Sequence, residues 1–155
     1  MKPSRLFMRS QRGVAAIELA LILPVLLTLL AFPLLFGRIF WHYTVAQKAA
    51  HDAATYLSTV PLIEMKSTTR TAYAVAVTQD ILNAELSGLN PGPNAPATTI
   101  LCGAVSCNGF SVPTTVRVEV QISMIDTIFG DITWRITGDS GLLLTADVTM
   151  PYVGN

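Results

Sequence analysis

The sequence predicts an α+β protein in which a long N-terminal transmembrane helix continues into a small extracytoplasmic domain with a second helix and an antiparallel sheet. Three observations carry this expectation. Nineteen residues without a formal charge run from Leu19 to Gly37, close to the roughly 20 apolar residues that a helix needs to cross a bilayer core. Ala46, Ala49, Ala50, Ala53, Ala54 and Leu57 then recur at three- and four-residue spacing, a narrow stripe on one helical face. Finally, Val116, Val118, Val120, Ile122 and Met124 alternate with Arg117, Glu119, Gln121 and Ser123, the period-two signature of a strand with one buried face.

Taken in chain order, the first thirteen residues form a basic leader. Lys2, Arg5, Arg9 and Arg12 are all positive, and the first acid is Glu18. Positive residues stay on the cytoplasmic side, so the N-terminus is expected inside and everything beyond about Trp41 on the far face. The chain divides accordingly into a leader (1–13), a helix (14–58) whose transmembrane part covers about 19–40, and an extracytoplasmic domain (59–155). A cleaved secretory signal fits poorly, because its apolar region is typically about 7–15 residues and ends in a small-x-small site. A cut after Ala31 would place Leu29 where a small residue is needed and Pro33 just beyond the bond.

Trp41 and Tyr43 suit an interfacial aromatic belt, and Arg38 with His42 marks the exit from the apolar run. Pro24 and Pro33 each remove a backbone donor inside the membrane helix and are expected to kink it. The alanine stripe beyond is expected to pack on the protein's own domain. Pro61 closes this helical region, and Ser67 or Thr68 can cap a second helix with apolar positions Ala74, Val77, Ile81 and Ala84, stopped by Gly88. Residues 90–96, Asn-Pro-Gly-Pro-Asn-Ala-Pro, read as a surface linker. Strands follow at 116–124 and at 142–150, where Leu142, Leu144, Ala146, Val148 and Met150 repeat the alternation, with Ile132 to Thr137 as a possible strand between them.

Cys102 and Cys107 are separated by four residues including Gly103, and the expected topology places both in an oxidising compartment, so a disulfide is expected. Its loop is short, and chain-entropy reasoning assigns it only about 2 kcal/mol. A redox pair more often has two intervening residues, and a zinc site needs further ligands. His42 and His51 are nine residues apart, on opposite sides of a helix, and make a poor metal pair. No cofactor or metal is expected, and no phosphate-binding glycine loop is present.

Gly138-Asp139-Ser140-Gly141 resembles the nucleophile loop of chymotrypsin-like serine proteases, and Ala49-Ala50-His51 echoes their histidine segment. Leu142 and Leu143 stand where glycine and proline extend that motif, however, and the chain is too short for a double barrel. The segment is read as a polar turn, and neither an enzyme nor a small-molecule substrate is expected.

Glu18 needs a physical reason, since a carboxylate at the centre of a membrane helix costs roughly 2.5–3.5 kcal/mol. Cleavage after Gly13 would create an α-amino group at Val14 with an ordinary pKa of roughly 7.7–8.0. That cation on one subunit could pair with Glu18 on its neighbour, offsetting the desolvation of both. The alternative is a carboxylate that snorkels to the headgroups. Glycine before the cut and glutamate at the fifth residue after it resemble the prepilin-peptidase site of type IV pilins. The run from Arg12 through Glu18 to Leu27 looks like the N-terminal signature of TadE-like minor pseudopilins of tight-adherence (Flp) pilus systems. The likeness covers about the first third of the chain, and it departs at Leu19, where an aromatic residue often follows the glutamate.

This resemblance implies a pilin-like subunit of the bacterial inner membrane, with Gly13 and Val14 flanking the peptidase cut and Glu18 serving processing and assembly of an adhesive pilus. Implied partners are the prepilin peptidase, other minor pseudopilins, the major pilin and the pilus-assembly membrane platform. The other reading is a membrane-anchored binding module unrelated to pili, whose leader is retained. Of 155 residues, 51% are hydrophobic, and 142 remain after the leader, enough for an anchor and one modest domain. Loss of the leader removes four of ten basic residues and none of ten acids, leaving a side-chain charge of −4. Nucleic acid, which calls for a basic patch, is not an expected partner.

Overall fold

The structure is a computed structural model that describes residues 11–128, 130, 134, 135, 138 and 141–154. Its dominant element is helix α1, Gln11–Thr59, which spans 49 residues, or roughly 74 Å at about 1.5 Å per residue. The helix runs through Pro24 and Pro33 as one element. Pro61 then ends it by fixing an extended backbone, φ −57° and ψ 143°, ahead of the short α2, Leu62–Met65. Helix α3, Thr68–Leu86, follows.

Four strands complete the α+β fold: β1 (Ala97–Cys102), β2 (Val105–Ser106), β3 (Thr115–Met124) and β4 (Leu142–Pro151). They form one antiparallel sheet in the order β2-β1-β3-β4. The β3–β4 register places Val116, Val118, Val120, Ile122 and Met124 opposite Met150, Val148, Ala146, Leu144 and Leu142. The whole inner row of β3 is buried, as the alternation of its sequence predicts. On the outer face Glu119 lies opposite Asp147, a like-charge pairing that would oppose the sheet. Arg117 counters it by gripping Asp147 at 2.6–3.0 Å and reaching within 3.6 Å of Glu119. These contacts, Asp147 foremost, raise the Arg117 pKa further above its already high value.

The core lies between this sheet and the second half of α1. Ala46, Ala49, Ala50, Ala53 and Ala54 are all buried against Leu82 and Leu86 of α3 and Val118, Val120, Ile122 and Ala146 of the sheet. Small side chains let the helix axis approach the sheet closely, so the stripe packs on the protein's own domain. A second cluster caps the end of α1 with Leu57, Val60, Met65, Ala74 and Val116.

Several local expectations shift. The buried face of α3 is Thr71, Ala74, Thr78, Leu82 and Leu86, whereas Ala84 is exposed. Thr78 is tolerated inside because its hydroxyl donates to the Ala74 carbonyl at 2.8 Å. Ser67 occupies the N-cap of α3 without a side-chain hydrogen bond to it, and its carbonyl instead accepts from Thr71 N at 2.8 Å. Gly88 does not take the left-handed conformation, and α3 ends at Ser87 in a tight turn from Leu89 N to the Leu86 carbonyl at 3.0 Å. Within the stretch considered as a strand at 132–137, Trp134 and Arg135 are helical, while residues 132, 133, 136 and 137 lie outside the described residues.

Candidate functional site

Three places carry chemistry: the Gly13–Glu18 motif, the point where α1 enters the folded domain, and the cysteine turn at the far end. The motif lies on α1 and stands clear of the domain. Every residue from Gly13 to Leu30 is exposed, and no other group approaches within 4 Å of a side chain placed at Gly13. Glu18 projects from an otherwise uncharged apolar surface that includes Val14, Leu21, Ile22 and Val25, each more than half exposed. It has no ion-pair or hydrogen-bond partner among the described residues. Val14 and Glu18 are four residues apart, about 6 Å along the axis and on one face. Lys2, Arg5 and Arg9 lie outside the described residues, as does the side chain of Arg12.

This exposed surface is what a bilayer requires. α1 contains a stretch long and apolar enough to cross a membrane near the N-terminus, which makes the chain a candidate single-pass membrane protein. The eighteen exposed residues 13–30 extend about 27 Å, close to the roughly 30 Å of a hydrocarbon core. Around Pro24 this surface is concave, with Pro24, Val25, Thr28, Leu29 and Phe32 lining an open apolar groove of about 510 Å³. Here Thr28 donates its hydroxyl to the Pro24 carbonyl at 2.9 Å.

Burial begins at Ala31, 0% exposed, and Leu35, 3% exposed, earlier than the apolar run alone indicates. One turn further on, Arg38 organises the entry to the domain. Its Nη2 donates to the Asn90 carbonyl at 2.8 Å, and its Nη1 lies 3.9 Å from the Asp126 carboxylate, whose side chain is 3% exposed. Ile125 N donates to the Pro91 carbonyl at 2.9 Å, joining the 90–96 linker to the end of β3. His42, 4% exposed, bonds through Nδ1 to the Arg38 carbonyl at 2.8 Å. Sequence reasoning identifies Arg38 as an exit marker but not this collar, because its partners come from 52 and 88 positions away and leave no local signal.

Cys102 and Cys107 are bridged, with Cα atoms 4.8 Å apart. The bridge closes the β1–β2 turn, where Cys102 pairs with Val105 and Gly103 adopts φ +72°. His51 is exposed, 3.7 Å from Asp52, and on another face of α1 from buried His42. In the turn considered as a protease loop, Asp139 and Ser140 lie outside the described residues. Its flanking Gly138 and Gly141 both have positive φ, as a turn requires.

Comparison with known proteins adds one match. Residues 13–55 fit the family model described as TadE-like protein. No curated protein and no solved structure matches the chain. The matched segment starts at the glycine of the motif, takes in Glu18 and the exposed span, and ends in the alanine face of the core, so the part of the chain similar to TadE-like proteins lies on α1.

Proposed function

We propose that this chain is a minor pseudopilin of a Tad (Flp) pilus system, a subunit that is anchored, trimmed and assembled through α1 and that catalyses no reaction itself. The observation that carries the reading is Glu18, a solitary carboxylate on an exposed apolar helix, five residues after Gly13, within the segment that fits the TadE-like family. Insertion through the basic leader leaves the N-terminus in the cytoplasm of a bacterial inner membrane. The prepilin peptidase then cuts between Gly13 and Val14. The freed Val14 amine of one subunit pairs with Glu18 of the next, and the pair fixes axial register between packed helices while limiting the desolvation of both charges. The helices of other minor pseudopilins, of the major pilin or of the assembly platform supply the apolar surfaces that cover residues 13–30. The domain stays outside, where an oxidising compartment sustains the Cys102–Cys107 bridge.

N-terminal sequencing of the membrane-extracted protein from its own host tests the processing step. The expected first residue is Val14. A chain beginning at Met1 overturns this reading in favour of a tethered module unrelated to pili. Replacement Glu18→Ala tests the pairing. Insertion is expected to persist while surface pili are lost or sharply reduced, and normal piliation in that variant would remove the ion pair from the mechanism.

A further inference from the structure

We infer that the free edge of β4 is a docking site for one further strand, an extended segment of another polypeptide that pairs antiparallel with residues 143–149 through its backbone. The inference goes beyond the pseudopilin reading and takes from it only that α1 anchors the chain in a membrane.

The hydrogen-bond pattern fixes which groups this edge presents. β4 is the last strand of the sheet, and its ten residues pair with β3 in one unbroken register. Just past that ladder, and in the same register, Tyr152 N donates to the Thr114 carbonyl at 3.0 Å. In an antiparallel pair, residues that exchange backbone bonds alternate with residues that do not. The bond at Tyr152 therefore assigns the even-numbered residues of β4 to the β3 ladder and turns the N–H and C=O groups of Leu143, Thr145, Asp147 and Thr149 outward. The other side of β3 agrees: Gly103 N donates to the Thr115 carbonyl at 2.7 Å, so the odd-numbered residues of β3 bond to β1 and the even-numbered ones remain for β4. Pro151, which has no N–H to present, closes the outward row. From Leu143 to Thr149 this row is about 20 Å long, and no backbone bond reaches it among the described residues.

The two edges of the sheet differ in how they are protected. At one, β2 is two residues long and held to β1 beside the Cys102–Cys107 bridge, a short edge with little to pair. β4 has none of the features that blunt an edge: no lysine, no inward charge, no bulge and no proline before 151. Its one charge, Asp147, lies on the outer face in the grip of Arg117. The core is also less closed on this side, since the inner row of β3 is buried throughout, whereas Leu142, Leu144, Val148 and Met150 of β4 are half-buried. A strand laid along β4 satisfies the outward backbone row, and apolar side chains at every second position cover the half-buried ones. A second copy of this chain does not supply that strand. β4 runs beside α1, from the end near Arg38 to the end where Tyr152 and Val153 bond to Val60 and Ser58, so copies anchored in one membrane present β4 in the same direction. A two-fold axis along the strands would set the apolar inner row of one copy beside the polar outer row of the other. Of the strands that run the opposite way, β3 is already paired on both edges and β2 is two residues long. The occupant is therefore a segment of a different polypeptide, recognised by its backbone and by its alternation of apolar side chains.

The test places the photoreactive residue benzoylphenylalanine at Leu143 or at Thr149 of the full chain, in membranes of its own host, and maps the attachment points by mass spectrometry. Both positions are expected to capture one segment of one other polypeptide, apolar at every second residue, with the attachment from Thr149 about six residues nearer that segment's N-terminus than the attachment from Leu143, as antiparallel pairing requires. Absence of capture, attachment to unrelated segments or in the opposite order, attachment within residues 129–140 of the same chain, and attachment to a second copy each overturn the inference. Thr145→Pro removes one outward N–H and leaves the β3 ladder whole, and it is expected to lower both yields by about tenfold. Thr145→Ala keeps that N–H and is expected to leave them unchanged; equal effects of the two substitutions would show that the backbone is not what is recognised. The attachment order stands by itself if the proline variant does not fold. Retention in alkaline-washed membranes and the N-terminal residue report anchoring and processing separately, so failure of the pseudopilin reading and failure of the strand contact are distinguishable.

Discussion

Gly141 is the position where backbone and packing agree most tightly on one residue. It adopts φ +76°, and a β-carbon there would come within 2.6 Å of the Met124 carbonyl oxygen. Gly141→Ala is therefore expected to lower the unfolding free energy by more than about 1 kcal/mol, read from denaturant titration of the detergent-solubilised protein. Gly37→Ala serves as its counterpart. Gly37 is helical with nothing within 4 Å, and alanine there is expected to leave stability unchanged or raise it by up to about 1 kcal/mol. At this scale the candidate motif was open to reading, because the glycine, the glutamate and the basic leader are neighbours in sequence. The Arg38 collar was not, because hydrogen bonding to Asn90 and proximity to Asp126 are consequences of the fold. The Tyr152 hydroxyl, which donates to the Val60 carbonyl at 2.7 Å, is another such case. Burial, with a contribution from Glu64, raises its pKa.

Among the elements, the interface of α1 with the sheet depends on side-chain size. Ala50 is fully buried amid the alanine face, and Ala50→Leu is expected to cost about 1–3 kcal/mol through overpacking. Ala84→Leu, on the exposed side of α3, is expected to stay within about 0.5 kcal/mol of the parent. Thermal melts followed by circular dichroism compare the two. The strands at 115–124 and 142–151 were legible because every second side chain is apolar, the inner row being buried along β3 and half-buried along β4 except at the buried Ala146. The face of α3 was misjudged by about one position, since Thr71 and Thr78 are buried and a hydroxyl that satisfies itself on a backbone carbonyl leaves no apolar mark in the sequence. Strand β1 alternates weakly, pairing its Thr98 side chain with Gln79 of α3 at 2.9 Å, and so gave no comparable pattern.

For the whole molecule, the decisive fact is that one helix serves two solvents. Its first half faces outward along apolar side chains, and its second half supplies the alanine and leucine wall of the core. The composition shift near Arg38 marks the change of environment, and the helix expected over 14–58 is one uninterrupted element, Gln11–Thr59. A fragment of residues 38–155 is expected to fold cooperatively without the membrane segment, whereas 59–155 is expected to show no cooperative melt, because Ala46 to Leu57 are missing from its interior. Calorimetry or circular dichroism on the two fragments decides it.

The paths of α1 and β4 have a mechanical consequence. β4 starts at Leu142 beside the end of β3, near Arg38, and the chain leaving it at Tyr152 and Val153 bonds to Val60 and Ser58, so helix and strand run side by side in one direction. A tensile load on the anchor is thereby delivered along that long seam as shear, resisted by many contacts at once instead of peeled open one after another. A domain tethered this way keeps its shape while its stalk is under tension.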